Sequence, residues 1–156
     1  MNAYVKATLN QISIAVRSIT TMMDQLEPSE LDVKPTDNKF SIGQLLAHVS
    51  LICQADLLIS DEASEEQMST YYSSNPLQSI AEMKEALLAN FTSLENRYFK
   101  YTEEDLMQTT TSYWGVSYTR FEWLLEISSH LYHHRGQLHA MLVYCARKDP
   151  EVALFE

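Results

Sequence analysis

Phe121-Glu-Trp123-Leu-Leu-Glu-Ile127-Ser-Ser-His130-Leu-Tyr-His133-His134-Arg135-Gly136-Gln137-Leu138-His139 is the stretch whose reading decides the fold. No proline interrupts the chain from Trp114 to Lys148, and the apolar residues recur every three or four positions, so the spacing predicts one long helix. Trp123, Ile127, His130, His134, Leu138, Met141 and Cys145 form a ladder on one face of it. Two rungs that packing would give to Leu or Ile are imidazoles. They lie four residues apart, about 6 Å along the axis at ~1.5 Å per residue. Two imidazoles at that spacing can converge on one metal ion, as in the helical HExxH pair. The same spacing also suits two core histidines whose N–H groups are satisfied by hydrogen bonds. Burying both without a metal requires each to stay neutral with a partner, or to bear the cost of desolvation.

Composition narrows the setting. The chain has 156 residues, a usual length for one domain, and we read residues 1–156 as a single helical domain. It is 46% hydrophobic and 21% charged with only three glycines and four prolines, which is globular and helix-leaning rather than disordered. The net charge of −10 and the scattering of its eleven basic residues argue against nucleic acid and against an anionic membrane surface. No run approaches 18 apolar residues and no signal-like segment opens the chain, so a cytoplasmic protein is expected. Cys53 and Cys145 make no disulfide framework and suit a reducing compartment, as small buried hydrophobes.

Three further helices are legible. Val5, Leu9, Ile12, Val16, Ile19, Met23 and Leu26 step by four and three through residues 2–26, and Pro28 ends that helix. Residues 31–40 read as a loop across one end of the domain. Ser41 with Gln44 makes a capping-box pattern that starts a second helix running to Ser60. Its apolar face holds Ile42, Leu45, Leu46, Val49, Ile52 and Cys53, with His48 on the margin. Residues 61–75 read as an acidic loop with at most one helical turn, either a solvated connection or a lid. A third helix spans Leu77 to Phe99, with Glu82, Lys84, Glu95 and Arg97 solvated on its surface. Residues 100–118 read as two short extended pieces or an irregular loop, and the fourth helix runs from Thr119 to Arg147. Four amphipathic helices without strong strands predict an all-α four-helix bundle. Its connections, about 14, 16 and 19 residues long, exceed the usual 2–8, so at least one is expected to cross the bundle.

Bundle metal sites are built from inward side chains on facing helices. His48 is the only histidine outside the fourth helix. With His130 and His134 it would give three imidazoles and leave positions open for water or substrate, the pattern of a catalytic site. His133 and His139, rotated ~100° and ~140° from His134, should point elsewhere.

Ser41-Ile-Gly-Gln-Leu-Leu-Ala-His48-Val, followed about 80 residues on by His130-Leu-Tyr-His-His134-Arg-Gly-Gln137-Leu, resembles the DinB/YfiT-like superfamily. The likeness in order, spacing and placement extends from the first helix to Cys145. It implies His48, His130 and His134 as ligands of a divalent metal, an up-down-down-up topology, and a homodimer. Despite its name this is not a DNA-polymerase family, in keeping with the acidic charge. Characterised relatives include metal-dependent thiol S-transferases that use bacillithiol and a mycothiol-dependent isomerase, and other members are called metal-dependent hydrolases.

Neighbouring residues take roles from their spacing. Gln137, three past His134, could reach a metal-bound group or hydrogen-bond another helix. Asp56, two turns past His48, could accept an imidazole N–H, act as a general base, or be simply solvated. Arg135 is expected in an ion pair with another helix, and Gly136 to admit a close neighbour. Tyr113, Trp114, Tyr118 and Trp123 are candidates for a pocket mouth, with core packing the alternative for Trp123. No glutamate stands out beside the ligands, which weighs against a thermolysin-like hydrolase. The resulting expectation is transfer of a low-molecular-weight thiol to an electrophilic small molecule on zinc, or on nickel, manganese or iron. Metal-dependent hydrolysis and a non-catalytic, metal-tied stress-response protein are the alternatives.

Overall fold

The computed structural model describes residues 2–155, and it is mostly helical. Helices α1 (Ala3–Met23), α2 (Ile42–Ser60), α4 (Ile80–Tyr98) and α6 (Arg120–Tyr144) are long; α3 (Glu65–Ser74) and α5 (Glu103–Met107) are short. Strands β1 (Thr109–Thr111) and β2 (Ser117–Thr119) pair antiparallel, with Thr110 opposite Tyr118. Helix α1 packs on α4 and α6, and α2 packs on the same two, so the consecutive helices α1 and α2 share no main packing face.

The starts of the helices follow from their caps. Ser41 and Gln44 exchange the reciprocal bonds of a capping box at α2, and Thr119 and Glu122 do the same at α6. Ser64 with Gln67 caps α3, which makes a ten-residue helix of a stretch expected to be a loop. Only Met68 of α3 is buried, so hydrophobic periodicity gave that helix no signal, although Ser64-Glu-Glu-Gln67 carried one. Ser79 and Glu82 likewise set the start of α4 three residues later than its apolar pattern suggests. Glu82 is therefore a cap rather than a solvated charge, and Lys84 and Arg97 pair with Asp24 and Asp61 of other segments. The 100–118 region resolves into α5, capped by Thr102 and Asp105, and the β1–β2 hairpin.

The main core joins the α1 seam (Val5, Leu9, Ile12, Val16, Ile19) to Leu46, Val49 and Ile52 of α2, Leu87 and Leu94 of α4, and Leu131 and Leu138 of α6. Trp123 anchors a smaller cluster with Ala55, Ile59 and Met68, and its indole N–H donates to Thr110 Oγ1 at 3.0 Å. Among the described residues α2 is the one helix long and apolar enough to cross a membrane, and most of it is buried inside the protein.

Two ties fix α2 in place. At its end, Asp61 accepts from Arg97 of α4 and from Arg120 of α6, each at 2.6 Å. At its start, Gly43 N–H donates to Leu31 O at 2.8 Å, and a Cβ on Gly43 would stand 3.1 Å from Leu31. The absent side chain lets the 31–40 loop lie directly on the first turn of α2. Gly136 on α6 plays no such part: among the described residues nothing lies within 4 Å of the position its Cβ would take, so the expected close neighbour is not found there.

Full burial makes the core sensitive to single methylenes. Leu46→Ala should cost roughly 2–5 kcal/mol in urea unfolding, whereas Leu88→Ala, at a 44% exposed position, should change stability by about 0.5 kcal/mol or less. Equal effects at the two positions would contradict this packing.

Candidate metal centre

Residues 42–60 and 120–144 meet along a face that is apolar except at its middle, where α2 contributes His48 and α6 contributes His130 and His134. His48 Nε2 lies 3.3 Å from His130 Nε2 and 3.1 Å from His134 Nε2. A metal with tetrahedral bonds of about 2.0–2.1 Å to imidazole nitrogen sets its ligand atoms about 3.3 Å apart. These two separations fit that value.

The far nitrogens explain why the rings face inward. His130 Nδ1–H donates to Asp56 Oδ2 at 2.8 Å, and His134 Nδ1–H donates to Gln137 Oε1 at 2.7 Å. With both protons held there, both Nε2 atoms present lone pairs to the cluster. A proton on His48 Nε2 can satisfy one of them but not both. A cation satisfies all three, so the donor set fits a divalent ion better than it fits a hydrogen-bonded core.

Asp56 is buried and holds an imidazole, so of its three readings the accepting one describes its contact and solvation does not. Gln137 reaches His134 one turn back on its own helix rather than another helix. Glu126 was missed from the sequence. It stands with Asp56 and His130 in a second cluster of potential ligand atoms, all within 4.8 Å, and its place four residues before His130 was the available signal. His133 and His139 are outside both clusters.

Arg135 is buried against the C-terminal segment: Nη1 donates to Leu154 O, and the guanidinium lies over the rings of Tyr132 and Phe155. Among the described residues it forms no ion pair with another helix, and its contacts come from a segment that periodicity could not locate.

A cavity of about 520 Å³ opens beside His134 and Gln137. Phe40, Leu45 and Met141 form much of its wall, and Asn38 and Lys39 complete it from the 31–40 loop. Tyr113, Trp114 and Tyr118 do not line it, being exposed near the hairpin, and neither does any residue of α3. The mouth belongs to the loop before α2, not to the segment after it. That loop is held beside the histidine cluster by tertiary contacts, the hydrogen bonds from Ile42 and Gly43 N–H to Val33 O and Leu31 O.

A family profile described as the DinB superfamily matches residues 11–138. The chain belongs to the DinB superfamily. Among solved structures it is similar to a DinB-family protein from Exiguobacterium sibiricum, at 28% identity and TM-score 0.79 over 88% of each chain. It also shares its fold with a DinB-like protein from Bacillus subtilis, at 15% identity and TM-score 0.68 over 99% of this chain and 98% of that one. A mycothiol-dependent maleylpyruvate isomerase shares the fold at 14% identity and TM-score 0.64, over 88% of this chain and 63% of the isomerase. No curated protein matches the sequence.

Electrostatics in this DinB-superfamily chain favour neutral imidazoles at two of the three positions. Burial, then the neighbouring His134 and His130, push the His48 pKa down to about 4. Burial also lowers that of His134, against the hydrogen bond to Gln137, whereas the hydrogen bond to Asp56 raises that of His130. Burial raises that of Glu126, reinforced by the charge of Asp56.

The His48 shift carries a definite sign. Above its ordinary value of 6.5 the ring is neutral folded or unfolded, so it adds no pH dependence; as pH falls toward about 4 the unfolded chain takes up a proton that the fold resists. Stability is therefore lost across that window in chelator-treated protein. Thermal melts from pH 7 to pH 5 should show a falling Tm, and His48→Gln should flatten the fall. An unchanged slope in the variant would contradict the assignment.

Proposed function

We propose that this chain is a metal-dependent S-transferase in which a low-molecular-weight thiol attacks an electrophilic small molecule. The observation that carries the reading is the convergence of three Nε2 atoms beside an apolar cavity large enough for a small substrate. We assign zinc first, imidazole also suiting nickel, manganese and iron. The ion, when bound, supplies Lewis acidity that lowers the pKa of a coordinated thiol.

The chain's residues account for the rest. His48, His130 and His134 hold the ion through Nε2. Asp56 and Gln137 keep the Nδ1 protons of His130 and His134 in place, which fixes ring orientation and strengthens the donors. Phe40, Leu45 and Met141 exclude water from the reacting pair. In the overall step a sulfur–carbon bond forms and the bond from that carbon to its leaving group breaks. The leaving group departs with the electron pair, and the thiol proton passes to solvent.

Asp56 already accepts from His130, which makes it a positioning residue and leaves Glu126 as the carboxylate a hydrolytic reaction would have to use. We also read the long helices as an up-down-down-up bundle. Contacts between helix ends support this: Asp24 after α1 with Lys84 early in α4, Asp61 after α2 with Arg97 late in α4, and Gln25 after α1 with Pro150 beyond α6.

Purified protein should carry about one metal per chain and turn over an alkyl halide only with thiol present. His134→Ala should abolish both properties. Asp56→Asn should weaken metal affinity about 10–100-fold while the fold persists. Ester or amide cleavage without thiol would replace this reading with hydrolysis, and bound metal without turnover would leave a purely structural ion.

A further inference from the structure

The cavity beside His134 has a chemical bias of its own. Its wall is mostly apolar and, among the described residues, contains no acidic one, in a chain with 21 acidic side chains and a net charge of −10. The one charged side chain on its wall is Lys39, which stands with Asn38 where the 31–40 loop closes the cavity. Lys84, Arg97, Arg120 and Lys148 pair with carboxylates. Lys39, like Lys6, Arg17, Lys34, Lys100 and Arg147, forms no ion pair among the described residues, and of these it is the one that lines the cavity.

The opposite wall contains Leu45 of α2 and Met141 of α6, with His134 and Gln137 at the metal side. A ligand filling this space therefore meets three environments in one cavity: an apolar wall, a cation with an amide beside it, and the metal face. We propose that the electrophilic substrate is a small apolar molecule bearing a carboxylate, its body against Phe40, Leu45 and Met141 and its carboxylate on Lys39. This rests on the S-transfer reading for the word electrophilic, while the anion preference rests on the cavity alone. The overall negative charge repels anions, so a local cation in an acid-free wall is what such a ligand needs. A polar sugar-like or peptide-like thiol would leave most of that wall without hydrogen-bond partners, which assigns the cavity to the substrate rather than to the thiol.

The experiment compares two probes of nearly equal shape, 3-phenylpropanoate and its neutral amide 3-phenylpropanamide. Protein-observed NMR titrations at pH 7 measure their Kd values for metal-loaded and chelator-treated protein and for Lys39→Gln. Because Lys39 is exposed, the expected preference for the carboxylate is modest, about three- to five-fold, and it should shrink as salt is raised. It should persist after chelation and vanish in Lys39→Gln, whose position on an exposed loop leaves folding intact. Phe40→Ala should weaken both probes together.

Equal binding of the two probes, or no binding of either, overturns the proposal. So does a preference that survives Lys39→Gln but is lost on chelation, because the carboxylate then sits on the ion. A Lys39-dependent preference in a protein without thiol-dependent turnover would retire the S-transfer reading and leave the carboxylate site standing. Thiol-dependent turnover of an alkyl halide together with equal binding of the two probes would do the reverse.

Discussion

Two helices distant in sequence are held in register by a contact that neither could make alone: the imidazole of His48 against those of His130 and His134, backed by Asp56. Polar groups on a packing face are costly unless every donor and acceptor finds a partner. Here the Nδ1 sides of His130 and His134 are satisfied by protein, and the Nε2 sides are left turned toward one another. A largely apolar face thus holds one small region whose three imidazoles could hold a cation. The fold around it supplies rigidity, and the site supplies the reason for the polar rungs.

That rigidity has identifiable sources. Asp61 clamps the far end of α2 to α4 and α6 through Arg97 and Arg120, while Gly43 seats the 31–40 loop on its near end. His48 and Asp56 lie between these two anchors, two turns apart on one helix. Displacing α2 along α6 would break the Asp56–His130 bond and the Nε2 convergence together. The loop held by Gly43 also brings Lys39 and Phe40 to the cavity, so the same backbone contact that starts the helix shapes the mouth.

What the amino-acid sequence disclosed follows the range of the forces involved. The ladder from Trp123 to Met141, the Ser41–Gln44 cap and the α1 seam are local patterns, and the structure has helices at those places. The pairing of His48 with His130 and His134 was legible because each lay at a definable position on such a helix. Helix α3 was lost because its one buried residue gave no period, although its cap was written in Ser64 and Gln67. The contacts of Arg135 with Leu154 and Phe155 were not legible because they come from an irregular tail that no period describes. Glu126 was within reach of the i, i+4 rule yet passed over, since only an observed neighbour such as Asp56 makes that carboxylate stand out. The cavity wall was misplaced onto the aromatic residues 113–118 for a similar reason: which loop covers a site is decided by tertiary contacts.

The central claim is that three Nε2 atoms from two helices close on one cation, and the most direct measurement watches those nitrogens. Histidine side-chain ¹⁵N spectra, recorded while zinc is titrated into chelator-treated protein, resolve the five rings separately. The account predicts that the Nε2 signals of His48, His130 and His134 move together and saturate at one equivalent, with Nδ1 of His130 and His134 still protonated. Saturation with His48 unmoved, or a response centred on His133 or His139, would contradict it.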